Sequence, residues 1–416
     1  MEIYQSNAHI REVFSEELFY ALMTQCCCFE EKAMKSTAAI NQLEHFFESL
    51  HMSSETYGFS AFLTQPILLY GAGNLGKKLY ACLAENNIQP ISFIDRNAGL
   101  CSAPAPVFVP DAEELRPYRE TAIVILAGLF GRTQDVAIRK ILQKTGFTHI
   151  YALHEIDWNA IESRAFLSHM FIGSYDPINL PRDEQQIRAA YELFSTEEER
   201  DFFLAALTAY HAHDVTRFPL PLPMEGQYLA ADVPEQMDYR RLIDCGAYDG
   251  DTLRSILQSG REIEAYAAFE PQGDLCTGIQ TYVQQQTEIR EAHILPLGAS
   301  DCYEQLRFTD VADGRSAAKA DPAGASVLQC VPLDGVLHGF RPTMLKMDIE
   351  GMEPRALAGA AEMIRQHRPQ LAICVYHDIS HLWSIPLQIK ELYEGYRLYI
   401  RNYQFMGLET VVYAVP

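Results

Sequence analysis

Short apolar runs, each about the length of a buried strand, alternate with stretches of helical periodicity over most of this 416-residue chain. The first runs fall at 66–70, 90–94, 122–126 and 148–151. After a long gap they resume at 241–245, 265–269, 292–297, 343–348, 370–376, 396–401 and 409–415. Strands that alternate with helices predict mostly parallel sheets, hence an α/β fold. The last two runs are joined by a short turn with no helix between them, and an extra pair of runs near 306–309 and 326–331 reads as a hairpin insertion. The gap is helical at first, with two amphipathic helices between Asp183 and Tyr210. It closes in Phe218-Pro-Leu-Pro-Leu-Pro223, a stiff extended connector. Ahead of the first strand, Val13, Leu18, Leu22 and Met23 stand at helical spacing in a segment that would dock, dimerise or simply cover its neighbour. Four blocks follow: a helical segment over 1–62, a small Rossmann-like α/β domain over 63–153, a helical linker and lid over 154–235, and a larger α/β domain over 236–416.

Each α/β block opens in the same way. The first strand of the smaller one runs into Gly71-Ala-Gly73-Asn74-Leu-Gly76 and then a helix, and the next strand ends at Asp95, placed to meet a ribose. This suits a nucleotide or NAD-like ligand, although no Tyr-x-x-x-Lys pair accompanies it, so binding without redox chemistry is the better reading. In the larger block, Leu242-Ile-Asp244-Cys-Gly246-Ala247-Tyr248-Asp-Gly250-Asp251-Thr252 has glycines at D-x-G-x-x-x-G spacing instead, and Glu270-Pro271 closes the next strand. Glycine lets a ligand approach the main chain, and a helix N-terminus favours a carboxylate. An acid at the end of the following strand can grip both ribose hydroxyls. Together they read as a site for S-adenosylmethionine (SAM).

From about Tyr228 to the C-terminus the chain resembles the FkbM family of SAM-dependent O-methyltransferases. The residues that carry the resemblance are the DCGAYDGDT run, FEP, LGASD at 297–301, KMDIEG followed by Glu353, RPQLAICVYH, and the closing ETVVYAVP. It implies a class I, seven-stranded methyltransferase sheet whose final strand is antiparallel. It also implies a SAM site in which Asp244, Gly246 and Gly250 form the methionine end, Glu270 meets the ribose, and Ala299, Ser300 and Asp301 line the adenine. Gln227 and Tyr228 fall where related enzymes often carry a lid over the cofactor. The acceptor class, a hydroxyl of a sugar, glycan or related small molecule in bacterial assembly pathways, comes from the resemblance alone.

Methyl transfer displaces a sulfonium, so the acceptor oxygen must be aligned and its proton removed. Lys346, Asp348 and Glu350 alternate at the end of a strand and are expected on one side of it. Asp348 or Glu350 is then the base, with His377, at the end of the following strand, as the other candidate. Lys346 or His377 would hold the acceptor. Asp348, Glu350 and His377 together could take a magnesium ion, and His381 completes an H-D-x-x-H pattern, but the site is read without a metal.

Charge narrows the partners. With 33 basic and 55 acidic residues the formal charge is −22, which disfavours nucleic acid and anionic lipid. Ten cysteines without repeated C-x-x-C pairs indicate neither zinc nor disulfides. The triplet Cys26-Cys27-Cys28 reads as helix packing, and His211 and His213, two apart on a helix, point to different faces. No leader or membrane-spanning run is apparent, so a cytoplasmic protein is expected, in which homodimerisation is open. Two other functions stay in view: an NAD(P)-dependent dehydrogenase or epimerase centred on Gly71 to Asp95, and a non-catalytic nucleotide-binding module.

Overall fold

A computed structural model describes residues 42–48, 57–58, 65–128, 132–157, 180–211, 217–233, 236–308, 326–404 and 407–416. The chain divides into two compact units, Met1–Ser53 and Ser54–Pro416. In the first, residues 42–48 are helical and bury Leu43, Phe46 and Phe47. The expectations for Val13 to Met23 and for Cys26 to Cys28 lie outside the described residues. Tyr57–Gly58, expected in a helical block, instead pairs as a short parallel strand with Ile156–Asp157. Pairing with a distant segment here overrides the local pattern.

The smaller sheet has strands β1 (Ile67–Tyr70), β2 (Ser92–Ile94), β3 (Val107–Phe108), β4 (Ile123–Leu126) and β5 (His149–Ala152). All run parallel, in the order β3-β2-β1-β4-β5. Helices α1 (Asn74–Glu85) and α2 (Arg132–Lys144) follow β1 and β4. Alternate residues feed two cores: Leu69, Phe93 and Ile125 pack with Leu79 and Leu83, while Leu68, Ile94 and Val124 pack with Ile138 and Leu142. A strand buried on both faces explains why ILLY and IVIL are continuously apolar. The two-residue β3 is too short to leave such a run.

Two helices follow, α3 (Leu180–Leu193) and α4 (Glu197–His211), as the periodicity predicts. His213 lies outside the described residues.

The larger sheet contains β6 (Arg241–Cys245), β7 (Ala265–Phe269) and β8 (Glu291–Leu295). A small three-stranded sheet intervenes, with β9 (Gly298–Ala299), β10 (Glu304–Phe308) and β11 (Ser326–Val331) in the order β9-β11-β10. The expected hairpin is therefore present as β10 and β11, with β9 added in parallel to β11. The main sheet resumes with β12 (Met344–Met347), β13 (Gln370–Cys374), β14 (Arg397–Asn402) and β15 (Thr410–Val415). Its order is β8-β7-β6-β12-β13-β15-β14, with β15 antiparallel to both neighbours. Helices α5 (Asp251–Gln258), α6 (Gly273–Val283), α7 (Glu353–Gly359), α8 (Ala361–His367) and α9 (His381–Leu392) cover its faces.

The helices read as linker pack on this sheet. Trp383 Nε1 of α9 donates to Gln186 Oε1 of α3 at 3.2 Å. Arg401 Nη1 of edge strand β14 meets the buried Glu199 of α4 at 3.2 Å. Both sheets reverse strand order beside their first strand, between β1 and β4 and between β6 and β12. Open α/β sheets bind ligands at such switch points, beyond the C-terminal strand ends.

Candidate active site

The floor of the larger switch point is a buried ion pair. Asp244 and Lys346 are partners in the β6–β12 register, and Lys346 Nζ lies 3.0 Å from Asp244 Oδ1. The Tyr266 hydroxyl donates to Asp244 Oδ2 at 3.0 Å, and Lys346 also donates to the carbonyl of Gly246 at 2.6 Å. Burial disfavours the lysine charge, yet Asp244 and then Asp348 outweigh it and hold its pKa above the ordinary value. Both side chains are shut off from solvent. The structure thus corrects the placement of Lys346 with Asp348 and Glu350 on one strand face. Strand β12 ends at Met347, and Glu350 adopts a left-handed conformation with φ of 57°. Asp244 underpins the glycine turn from below.

That turn is held by its neighbours. Gly246 has φ of 76°, and a Cβ there would stand 1.8 Å from the carbonyl oxygen of Asp348. It is the adjoining main chain that demands glycine at this position. Ala247 is buried, Tyr248 is left-handed at φ 46°, and Gly250 at φ 87° caps α5. Asp251 and Thr252 open that helix, the amide of Thr252 donating to Asp251 Oδ1 at 2.7 Å.

Glu270 lies against the same turn. Its Oε2 accepts from the Tyr248 amide at 2.9 Å and its Oε1 from the Gln272 amide at 2.9 Å, across Pro271. Burial raises its pKa, and these two N–H groups work in the opposite direction. Each oxygen keeps a lone pair for a further donor. Farther along, Ala299 and Ser300 are buried, and Ser300 Oγ donates to Glu304 Oε1 at 2.6 Å. Asp301 is gripped by Arg355 Nε at 3.0 Å, and this bond lowers its pKa.

The carboxylates gather where β12 and β13 end. Asp348 accepts from the hydroxyl of Tyr228 at 3.0 Å through Oδ2 and from that of Tyr376 at 3.0 Å through Oδ1. Burial works against its charge, but Lys346, His377 and the two hydroxyls prevail and keep its pKa below the usual value. His377 Nε2 lies 3.5 Å from Asp348 Oδ1 and 3.6 Å from Glu350 Oε2. Its Nδ1 is 2.9 Å from Oε1 of Glu353, a fully buried residue at the start of α7. Burial disfavours the imidazolium, whereas Glu353, Asp348 and Glu350 favour it, and the pKa rises to about 9. His381 also turns toward Glu353, with Nδ1 3.7 Å from Oε2. Gln227 Nε2 donates to Glu409 Oε2 at 2.7 Å. Tyr228 is buried, its ring 5.3 Å beneath Lys346 Nζ and its amide bonded to the Tyr413 hydroxyl. Its position is thus inside the core and not on an outer lid.

Asp348, Glu350 and His377, expected to act together, converge here, and Gln227 and Tyr228, expected as a lid over the cofactor, instead bond to Glu409 and Asp348. Glu353, Tyr376 and Glu409 were missed as site residues. Glu353 stands in the first turn of the helix after KMDIEG, and Tyr376 immediately precedes His377, positions that point back to the same strand ends. Glu409 reaches the cluster from the turn before β15, a relation of topology and not of spacing.

The smaller switch point is built similarly. Gly71 has φ of 106°, and a Cβ on Gly76 would meet the Gly71 carbonyl oxygen at 1.9 Å, so Gly76 permits close helix packing. A Cβ on Gly73 would meet nothing within 4 Å, leaving open space at the N-terminus of α1, which starts at Asn74. Asp95 Oδ2 accepts from the Ala72 amide at 3.0 Å.

Residues 244–405 match the model of the methyltransferase FkbM domain. Among solved structures, the crystal structure of methyltransferase FkbM from Methylobacillus flagellatus KT is similar, with a TM-score of 0.68 over 91% of this chain and 99% of that one. At 17% identity this likeness establishes a shared fold. A comparison with curated proteins finds no match. Among the described residues no helix is long and apolar enough to cross a membrane.

Proposed function

We propose, from the premise that this chain carries a methyltransferase FkbM domain over residues 244–405, that it transfers the methyl group of S-adenosylmethionine to a hydroxyl of a sugar, glycan or similar small acceptor. The observation that carries the reading is Glu270, fixed by the Tyr248 and Gln272 amides beside the Gly246–Gly250 turn. In this reading it takes the ribose hydroxyls, and the N-terminal turn of α5 meets the methionine carboxylate. The acceptor would lie over Asp348, Glu350 and His377, and a lining of carboxylates and tyrosines suits a polyhydroxyl compound. As the oxygen–carbon bond forms, the carbon–sulfur pair returns to sulfur and the hydroxyl proton passes to a carboxylate of this cluster. Glu350, with its side chain 27% exposed, is the more open of the two.

In this reading 63–153 is a Rossmann-like domain, 154–235 a helical linker and lid and 236–416 the methyltransferase domain, and the protein works in the cytoplasm. Calorimetric titration with S-adenosylhomocysteine tests it. Binding should weaken by about 10–100-fold in Glu270→Gln, the loss expected of hydrogen bonds to a charged acceptor. Wild-type protein that binds none would end the proposal.

One observation favours a second site. The Asp95 carboxylate beside Gly71 and Gly73 is held as Glu270 is, so the smaller sheet is proposed to take a nucleotide or NAD-like ligand without redox chemistry. NAD or nucleotide binding lost in Asp95→Ala would support it, and titrations that show no heat with either ligand would remove it.

A further inference from the structure

We propose that His377, Asp348 and Glu350 hold a hard divalent cation, Mg2+ or Mn2+, with Glu353 orienting the imidazole from behind. This departs from the metal-free reading of the sequence.

The imidazole faces two carboxylates that it does not hydrogen-bond. His377 Nε2 lies 3.5 Å from Asp348 Oδ1 and 3.6 Å from Glu350 Oε2. Both distances exceed those of an N–H···O bond. The atom is buried and makes no hydrogen bond, and the whole residue is 8% exposed. Such an orphan in a nonpolar pocket would be costly, and here it is aimed at two anions. Bonds of roughly 2.1–2.5 Å at right angles place donor atoms about 3–3.5 Å apart, close to the separations of His377 Nε2 from Asp348 Oδ1 and from Glu350 Oε2.

Behind the ring, Glu353 Oε1 stands 2.9 Å from Nδ1 and also accepts the amide of Ile349 at 2.8 Å. Glu353 Oε1 is within hydrogen-bond distance of Nδ1, where a carboxylate would select the tautomer that offers Nε2 to a metal. The ligand atoms of Asp348, Glu353 and His377 all lie within 4.8 Å of one another. Glu350 is thrown toward them by consecutive left-handed residues, φ 57° at Glu350 and φ 97° at Gly351.

Charge points the same way. Asp348, Glu350 and Glu353 each bring a carboxylate oxygen within 3.6 Å of one imidazole, and the Lys346 ammonium that favours the Asp348 charge is itself paired with Asp244. Carboxylates with one imidazole and no ligating thiolate suit Mg2+ or Mn2+ better than a soft metal. By contrast, Asp301, Cys302 and Glu304 also cluster, but Arg355 sits among them, 2.6 Å from Glu304 Oε1.

The cation's role rests on the transferase reading, although its presence does not. It would bind the acceptor oxygens, preferably of a vicinal diol, and acidify the hydroxyl that attacks the methyl group.

The experiment is a titration of metal-stripped full-length protein with Mn2+, followed by the paramagnetic resonance signal of the free ion. One site per chain is expected, displaced by Mg2+ and weakened at least tenfold in Glu350→Gln and His377→Asn but not in Asp301→Asn. Glu350 is partly exposed, so its variant keeps the test meaningful should the buried histidine be needed for folding. No stoichiometric site, or one that survives Glu350→Gln, overturns the inference. Calorimetry with S-adenosylhomocysteine on the same samples separates the two proposals. Cofactor binding without a Mn2+ site removes the cation alone, whereas a Mn2+ site without cofactor binding keeps the cation and removes the SAM reading.

Discussion

Asp95 and Glu270 are held in the same way in two different sheets. Asp95 Oδ2 accepts the amide of Ala72, 23 residues earlier, at 3.0 Å, and Oδ1 accepts the amide of Asn97 at 2.9 Å. Glu270 Oε2 accepts the amide of Tyr248, 22 residues earlier, and Oε1 that of Gln272, both at 2.9 Å. In each case the acid at the end of one strand fastens the glycine turn of its neighbour, then the residue two positions beyond itself. If the two devices serve separate ligands, Asp95→Ala leaves the affinity for S-adenosylhomocysteine within about twofold while Glu270→Gln lowers it, as isothermal calorimetry would show. Equal losses in both variants would argue for a shared site.

The two glycine turns respond differently to a methyl group. Gly246→Ala places Cβ against the Asp348 carbonyl and forces a left-handed conformation, at a cost of about 2–4 kcal/mol. Gly73→Ala meets open space at φ −75° and changes stability by roughly 0.5 kcal/mol or less. Urea unfolding of the two variants measures both.

Removing half of the buried ion pair should be far worse than removing both halves. Lys346→Met leaves Asp244 uncompensated and costs about 3–5 kcal/mol. Adding Asp244→Asn restores much of that loss. Additive denaturation free energies in the double-mutant cycle would show the pair to be uncoupled.

Tyr228 and Tyr376 both donate to Asp348, which is proposed to face the acceptor. Tyr376→Phe is expected to lower kcat by about tenfold, through a lost hydrogen bond of about 1.5 kcal/mol to a charged group. The dissociation constant of S-adenosylhomocysteine should stay within twofold. Equal weakening of both would place Tyr376 with the cofactor instead.

One stability effect has a clear pH sign. Arg240 donates to Asp238 at 2.9 Å through Nε, and this bond lowers the aspartate pKa, against a smaller effect of burial. A carboxyl whose folded pKa is depressed stabilises the fold above its unfolded pKa of about 3.9 and loses that contribution as pH falls through the folded value. Wild type should therefore exceed Asp238→Asn by up to about 1 kcal/mol at pH 7 and converge with it in acid. A gap that persists in acid, in thermal scans across pH, would contradict this.

The central strands of both sheets were legible because they are buried on two faces, which leaves unbroken runs such as Ile123-Val-Ile-Leu126 and Leu371-Ala-Ile-Cys374. Asp348, Glu350 and His377 were found together because strand ends converge at a switch point. Three relations were not legible. The pairing of Lys346 with Asp244 depends on register between strands a hundred residues apart. Gly246 reads like a ligand-facing glycine, but only the fold reveals the Asp348 carbonyl over it. Glu353 looks like an ordinary acid in a first helical turn until two histidines from another element close on it.

The close approach of Gly246 to Asp348 has a consequence for how such a site can evolve. Backbone touching backbone admits no adjustment by rotamer, so the loop after β6 and the loop after β12 are registered like two jaws cut from one block. In the proposed enzyme, acceptors of new shape would be accommodated by residues that arrive from elsewhere, such as Tyr376 and Glu409, while the separation between methyl donor and recipient stays constant.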